Sequence, residues 1–168
     1  NIYSQDNQLT AKEKKEGWVL LFNGKNLDGW TSVGKDTPPA FGWVVEDGIL
    51  NVRKQGDKRG GDIITRDQYS DFDLKVDFRI TKGANSGIKY FFTKYEKGGW
   101  LGLEYQILDD ENHPDAKLGK DGNRQSASLY DMIPAKPQNS KPFGQWNKGK
   151  IMCYKGTVVH YQNDEPVV

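Results

Sequence analysis

The chain has 168 residues, with 24 Lys and Arg against 23 Asp and Glu, for a net charge of +1. That length fits one domain or slightly more, able to bury about 70% of its unfolded surface. Its nearly cancelling, interspersed charges argue against nucleic acid or a membrane surface and favour a neutral or weakly charged ligand. The one cysteine, Cys153, excludes an intramolecular disulfide, a cysteine-rich zinc site and a redox pair within the chain, and its apolar setting suits a small buried hydrophobe. No apolar run reaches the roughly 18 residues of a transmembrane helix, no signal-peptide pattern is present, and the opening Asn1-Ile2-Tyr3-Ser4-Gln5-Asp6-Asn7-Gln8 is expected to be a mature or trimmed end, read equally as the tether left after export or as an expression boundary.

In chain order, residues 1–16 read as a tail or linker. Within it, Thr10 and Glu13 have capping-box spacing, which predicts one short helix near Thr10 to Glu16. From Gly17 the character changes to short runs rich in Trp, Tyr, Phe, Val and Ile, punctuated by Gly, Asn and Asp. Strands are expected at Trp18 to Phe22, Trp43 to Val45, Ile49 to Arg53, Asp62 to Thr65, Phe72 to Ile80, Ser86 to Thr93, Gly102 to Leu108, Ala127 to Met132, Trp146 to Tyr154 and Thr157 to Gln162. Asp47-Gly48 and Lys155-Gly156 suit tight hairpins, so successive strands are expected to be antiparallel neighbours in an all-β sandwich or barrel. Long polar loops at Asp109 to Gln125 and Pro134 to Gln145 suit function or mobility, and Val167-Val168 looks like the start of a further strand.

Two strands carry chemistry. Gly102 to Leu108 alternates so that Glu104 and Gln106 share a face opposite Leu103, Tyr105 and Ile107, and that face is read as the floor of a cleft; an ordinary solvated face is the competing reading. Phe72 to Ile80 presents Asp73, Lys75, Asp77 and Arg79 on its polar face, and its Asp77–Arg79 end is expected beside Glu104 on the same sheet. Trp100, just before the Glu104 strand, is the best placed of five tryptophans to stack on a sugar ring, whereas Trp18, Trp30, Trp43 and Trp146 read as packing. Asp109, Asp110, Glu111, His113 and Asp115 form an oxygen-rich cluster suited to a hard cation such as calcium, against the alternative of a solvated acidic loop.

There is no phosphate loop, no His-Glu-x-x-His and no nucleophile elbow, and two histidines are too few for a histidine-based metal centre. Carboxylates, amides, basic groups and aromatics remain, the groups that bind and transform sugars. Glu104-x-Gln106-x-x-Asp109 invites comparison with the Glu-x-Asp-x-x-Glu pattern of retaining glucanases. The middle acid is an amide here, however, and Asp109 reaches the face of Glu104 only through a bulge, which disfavours two-carboxylate hydrolysis.

Six ordered motifs, Leu21-Phe22-Asn23-Gly24-Lys25-Asn26-Leu27-Asp28-Gly29-Trp30, Asp71-Phe72, Ala84-Asn85-Ser86-Gly87-Ile88, Gly102 to Asp109, Ser128-Leu129-Tyr130-Asp131 and Gly144-Gln145-Trp146-Asn147, resemble the family known as domain of unknown function 1080, the 3-keto-disaccharide hydrolases. The resemblance spans Gly17 to about Gln162. It implies a concanavalin A-like jelly roll over 17–168, export to the periplasm, outer membrane or medium as in Bacteroidetes, and cleavage of glycosides oxidised at C3. It also implies a closing strand that this chain does not reach, and Asp77 where the family often has Glu. A C3 ketone acidifies the C2 hydrogen, so one base can drive elimination of the aglycone from C1, and water then adds. On that reading Glu104 is the base and Arg79 its catalytic partner, with Gln106, Asp77, Asn85, Trp100, Tyr130 and His113 binding substrate. The partner is a carbohydrate, nothing in the pattern specifies an oligomeric state, and the rival reading is a non-catalytic sugar-binding module on the same fold.

Overall fold

A computed structural model describes residues 6–168 of the chain. They form two compact units, one running through Gln68 and the other Tyr69–Val168. Helix α1 (Ala11–Lys15) begins at a complete capping box, with the Thr10 side chain accepting from the Glu13 N–H and Glu13 accepting from the Thr10 N–H. Everything else regular is strand, apart from one 3₁₀ turn at Pro114–Lys117. No helix among the described residues is long and apolar enough to cross a membrane.

The first unit contains two antiparallel ribbons: β1 (Trp30–Ser32) with β4 (Ile63–Thr65), and β2 (Trp43–Glu46) with β3 (Ile49–Val52). Asp47 and Gly48 turn the second ribbon with φ of 51° and 74°, the left-handed pair that a two-residue hairpin of matching twist requires. Two expectations need correction here. Residues 18–22 form no strand, and the strand at Trp30–Ser32 was not anticipated. The Trp30 indole donates instead to the Leu21 carbonyl at 2.6 Å, while Val19 and Leu20 are exposed.

The second unit has two layers. One is a four-stranded antiparallel sheet in the order β10-β9-β8-β5, built from β5 (Phe72–Arg79), β8 (Trp146–Tyr154), β9 (Thr157–Gln162) and β10 (Glu165–Pro166). The other is the hairpin of β6 (Asn85–Lys94) and β7 (Trp100–Leu108), whose free edge pairs with residues 128–130 through the Tyr105–Leu129 bridge. Expected as a full strand, 127–132 is therefore only a bridged segment, because Leu129 also turns back to pair with Ile133. The expected strand start at Val167 is met by backbone bonds instead: the Val167 N–H donates to the His160 carbonyl, the His160 N–H donates to the Val168 carbonyl, and Val167 accepts from the Lys136 N–H, extending the β10 edge.

Tyr105 locks the layers together. It is fully buried, and its hydroxyl donates to Gln162 Oε1 at 2.9 Å and to the Tyr161 carbonyl at 3.2 Å, both on the facing sheet. Tyr90 acts in parallel: its hydroxyl donates to Nε2 of the buried His160 at 2.8 Å, while His160 Nδ1 donates to the Ala127 carbonyl at 2.9 Å, which defines a neutral imidazole. Phe78, Ile80, Ile107, Leu129, Ile151 and Cys153 fill the space between, and Cys153 is the buried hydrophobe its setting implied. The antiparallel all-β class expected from the alternation is thus what the chain adopts. Successive strands are neighbours only at β2–β3, β6–β7, β8–β9 and β9–β10; among the other connections, β5 and β6 are consecutive in sequence yet lie in opposite layers.

Candidate active site

The outward face of the β6–β7 layer gathers most of the polar residues singled out above. Strand β7 alternates without a bulge, so Leu103, Tyr105 and Ile107 point into the core and Trp100, Gly102, Glu104 and Gln106 point out. In register, Glu104 stands opposite Lys89 on β6, and on its other side the Tyr130 N–H donates to the Glu104 carbonyl at 2.9 Å. A row Lys89–Glu104–Tyr130 therefore crosses the layer, and next to it runs Gly87–Gln106–Ser128.

Glu104 is partly sheltered. Its carboxylate is 3.8 Å from the Lys89 ammonium, and its side chain lies over Gly87, filling the volume that a β-carbon there would occupy. Tyr130 is held by charge: its hydroxyl donates to Asp115 Oδ2 at 2.9 Å, and the Arg124 guanidinium lies 5.4 Å from its ring centre. Arg124 bridges Asp115 at 3.0 Å and binds Asp131 through both carboxylate oxygens at 2.8 and 3.1 Å. Burial, with the bond to Asp115 adding, raises the Tyr130 phenol and keeps it protonated at neutral pH. At the other end Gln106 is 1% exposed, with its amide 3.5 Å from Asn85 Oδ1.

The long loop after β7 covers that buried end. Asp109 takes the Gly83 N–H at 2.7 Å and the Asn112 amide; burial opposes its ionisation, but the Gly83 N–H and then Asn112 outweigh that and hold it below the usual carboxylate range. For Asp110 burial wins. It pushes the carboxyl up to about 6, with the charge of Asp109 adding, against the Ser126 N–H. Since the folded value lies above the unfolded one, ionised Asp110 destabilises the native state, and this is relieved as pH falls from about 6 to about 4. His160 acts oppositely: burial lowers it, so below about pH 6.5 the unfolded chain takes up a proton that the native core refuses. Asp110→Asn should therefore make the urea midpoint fall more steeply between pH 6.5 and about 4.5 than in the wild type. Equal slopes would show that Asp110 titrates normally.

The expected residues divide clearly. Glu104, Gln106, Asn85, Tyr130 and Trp100 share the outward face of one layer. Trp100 is 37% exposed and meets Phe92 edge-on at 5.7 Å, an aromatic step on the same face as Glu104. His113 contributes indirectly, since its Nδ1 accepts from the Asp115 N–H at 3.2 Å and so fixes the turn that carries Asp115. Asp77 and Arg79 are corrected: they lie on the outward face of the other layer, across the core from Glu104, where Arg79 stacks on Trp146 at 5.0 Å and Asp77 pairs in register with Lys148. The cause is the layer change between β5 and β6, which alternation within one strand does not encode.

The acidic cluster is also dispersed, with Asp109, Asp110 and Asp115 each committed to different partners; among the described residues no group of three or more His, Cys, Asp or Glu converges. An open depression of about 320 Å³ lies elsewhere, lined by Asp71, Phe72, Asp73, Met152, Cys153 and Tyr154. It holds no arrangement of acid, base and amide, so we place the candidate site on the Glu104 face instead. Sequence reasoning overlooked Lys89 and Arg124. Lys89 lies on the polar face of an expected strand, but its pairing depends on a bulge; Arg124 sits in a loop with no periodicity to mark it.

A family model described as the 3-keto-α-glucoside-1,2-lyase-like domain matches residues 17–168. The chain belongs to this family. It is 51% identical over 169 residues to a 3-keto-disaccharide hydrolase of Bacteroides thetaiotaomicron, a match covering 91% of this chain and 58% of that protein. The chain thus spans little more than half the length of that curated relative. Among solved structures, one from Parabacteroides distasonis, provisionally named a glycosyl hydrolase, superposes with a TM-score of 0.79 at 33% identity, covering 96% of this chain and 75% of the other. A second of the same description and organism gives 0.67 at 27% identity, covering 86% and 67%.

Proposed function

We propose that this domain cleaves 3-keto-disaccharides or related 3-keto-glycosides by abstraction of the C2 proton, elimination and hydration. The observation that carries this reading is the neighbourhood of Glu104. The same-face positions around it are Gly102 and Gln106 along β7, Lys89 and Gly87 on β6, and Tyr130 and Ser128 on the third segment. None is a carboxylate, whereas a retaining glycosidase needs a second carboxyl about 5 to 5.5 Å away. One base beside one cation suits an enolate instead.

In this mechanism Glu104 takes the C2 hydrogen and electrons flow into the C3 carbonyl. The enolate then re-forms the ketone as the C1–oxygen bond breaks, leaving a C1–C2 double bond conjugated to the ketone, and the departing oxygen gains a proton. Water adds at C1 and a proton returns to C2, so the net change is hydrolysis. Lys89 supplies positive charge where the enolate oxygen forms, a preorganised contribution worth several kcal/mol. Tyr130 has committed its proton to Asp115, so it offers lone pairs to a sugar hydroxyl, while Gln106 and Asn85 supply amide contacts and Trp100 an aromatic surface. The name of the Bacteroides thetaiotaomicron relative supports the substrate class, and export belongs to the same proposal.

The test incubates the protein with trehalose and with 3-keto-trehalose in deuterated water. Cleavage of the keto form alone, with deuterium entering at C2, is the expected result. Equal cleavage of both without exchange would reject elimination, and binding without cleavage of either would favour a sugar-binding module. Because the chain spans 58% of the curated relative, a version extended beyond Val168 is assayed beside it.

A further inference from the structure

Gly87 has no backbone reason to be glycine. It lies within β6, it is absent from the positive-φ residues, and it pairs in register with Gln106. Glycine inside a strand weakens it, and where one stands the usual cause is the close approach of another group. Here that group is the Glu104 side chain: a β-carbon at Gly87 would overlap Oε1 and lie 2.9 Å from both Cδ and Cγ. The carboxylate thus leans across the strand pair onto a bare stretch of β6, beside Lys89 at 3.8 Å.

We infer that Gly87 is a positioning residue: its missing side chain is the seat that holds the Glu104 carboxylate against β6 and next to Lys89. A methyl there displaces the carboxylate away from the strand that carries its cation and away from the place where the C2 hydrogen must sit. The kinetic part of this inference rests on the proposed elimination; the seat itself does not.

The test is a cycle of Gly87→Ala, Glu104→Ala and the double variant, read first by melting temperature. With Glu104 present the added methyl must push the Glu104 side chain off β6 and away from Lys89, and Gly87→Ala lowers the melting temperature. With Glu104→Ala the space is free, and the same change raises it, since alanine in a strand is favoured over glycine. Reversal of sign supports the seat, as does a Gly87→Ala protein that folds only in the Glu104→Ala background. The same effect in both backgrounds, or failure to fold in both, overturns it. Kinetics on 3-keto-trehalose then separate seating from mere structure: Gly87→Ala should lower kcat about 10- to 100-fold, the cost of misplacing a reacting group by about 1 Å, with KM within about threefold. A reversed sign with unchanged kcat would overturn the positioning role. If the wild type cleaves no 3-keto sugar, the elimination reading fails while the melting cycle still decides the seat.

Discussion

Glu104→Gln should abolish cleavage of 3-keto-trehalose, lowering kcat by roughly 10² to 10⁴-fold, the range a positioned general base contributes. The amide keeps the shape of the side chain and can still lie over Gly87, but it cannot accept the C2 proton. Binding of the keto sugar should therefore stay within about threefold, and deuterium exchange at C2 should vanish together with turnover. Loss of exchange and cleavage in step is the decisive signature, because a residue that acted only on the leaving group would slow cleavage and leave exchange running. Exchange that persists at the wild-type rate in Glu104→Gln would move the base elsewhere.

The largest effect on stability is expected at Tyr105. This ring is completely buried on the core face of β7, opposite the face of Glu104 and Gln106, and its hydroxyl reaches across to Gln162 and Tyr161 on the facing sheet. Tyr105→Ala removes the ring and leaves a cavity, which for a buried aromatic costs about 3 to 5 kcal/mol. That is a large share of the roughly 5 to 15 kcal/mol that holds a typical domain folded. Tyr105→Phe keeps the packing and deletes the donor to Gln162 Oε1. Since the Ser126 hydroxyl lies 3.5 Å from that oxygen, the loss should fall near the lower end of about 1 to 3 kcal/mol. Urea unfolding at pH 7 checks both: the midpoint should fall strongly for alanine and slightly for phenylalanine, with unchanged m-values. The alanine variant should also lose activity, because the strand that aims Glu104 outward is anchored by the ring that points inward. A fall of under 1 kcal/mol for Tyr105→Ala would mean that the two layers do not depend on this lock.

What the sequence determined by itself was the kind of strand and which side chains share a face. The period-two alternation of β7 is a local property, so Glu104 and Gln106 could be placed together, and opposite Tyr105, without any coordinates. The turns were legible for the same reason: Asp47-Gly48 and Lys155-Gly156 carry the residues that tolerate a positive φ, and both close two-residue hairpins. The capping box at Thr10 and Glu13 also acts within a few residues. Partnership between strands was another matter. Asp77 and Arg79 alternate as cleanly as Glu104, but nothing in their own strand says that the chain changes layer between β5 and β6, and this separates them from the site. The partner of Glu104 was decided by a single bulge. At the hairpin end Lys94 pairs with Trp100 and Thr93 with Leu101; the extra residue near Phe91, whose φ is 50°, then shifts the register so that Glu104 faces Lys89 instead of Tyr90. A one-residue slip exchanges a strand's two faces, so the cation beside the candidate base exists only because the folded sheet fixes that register.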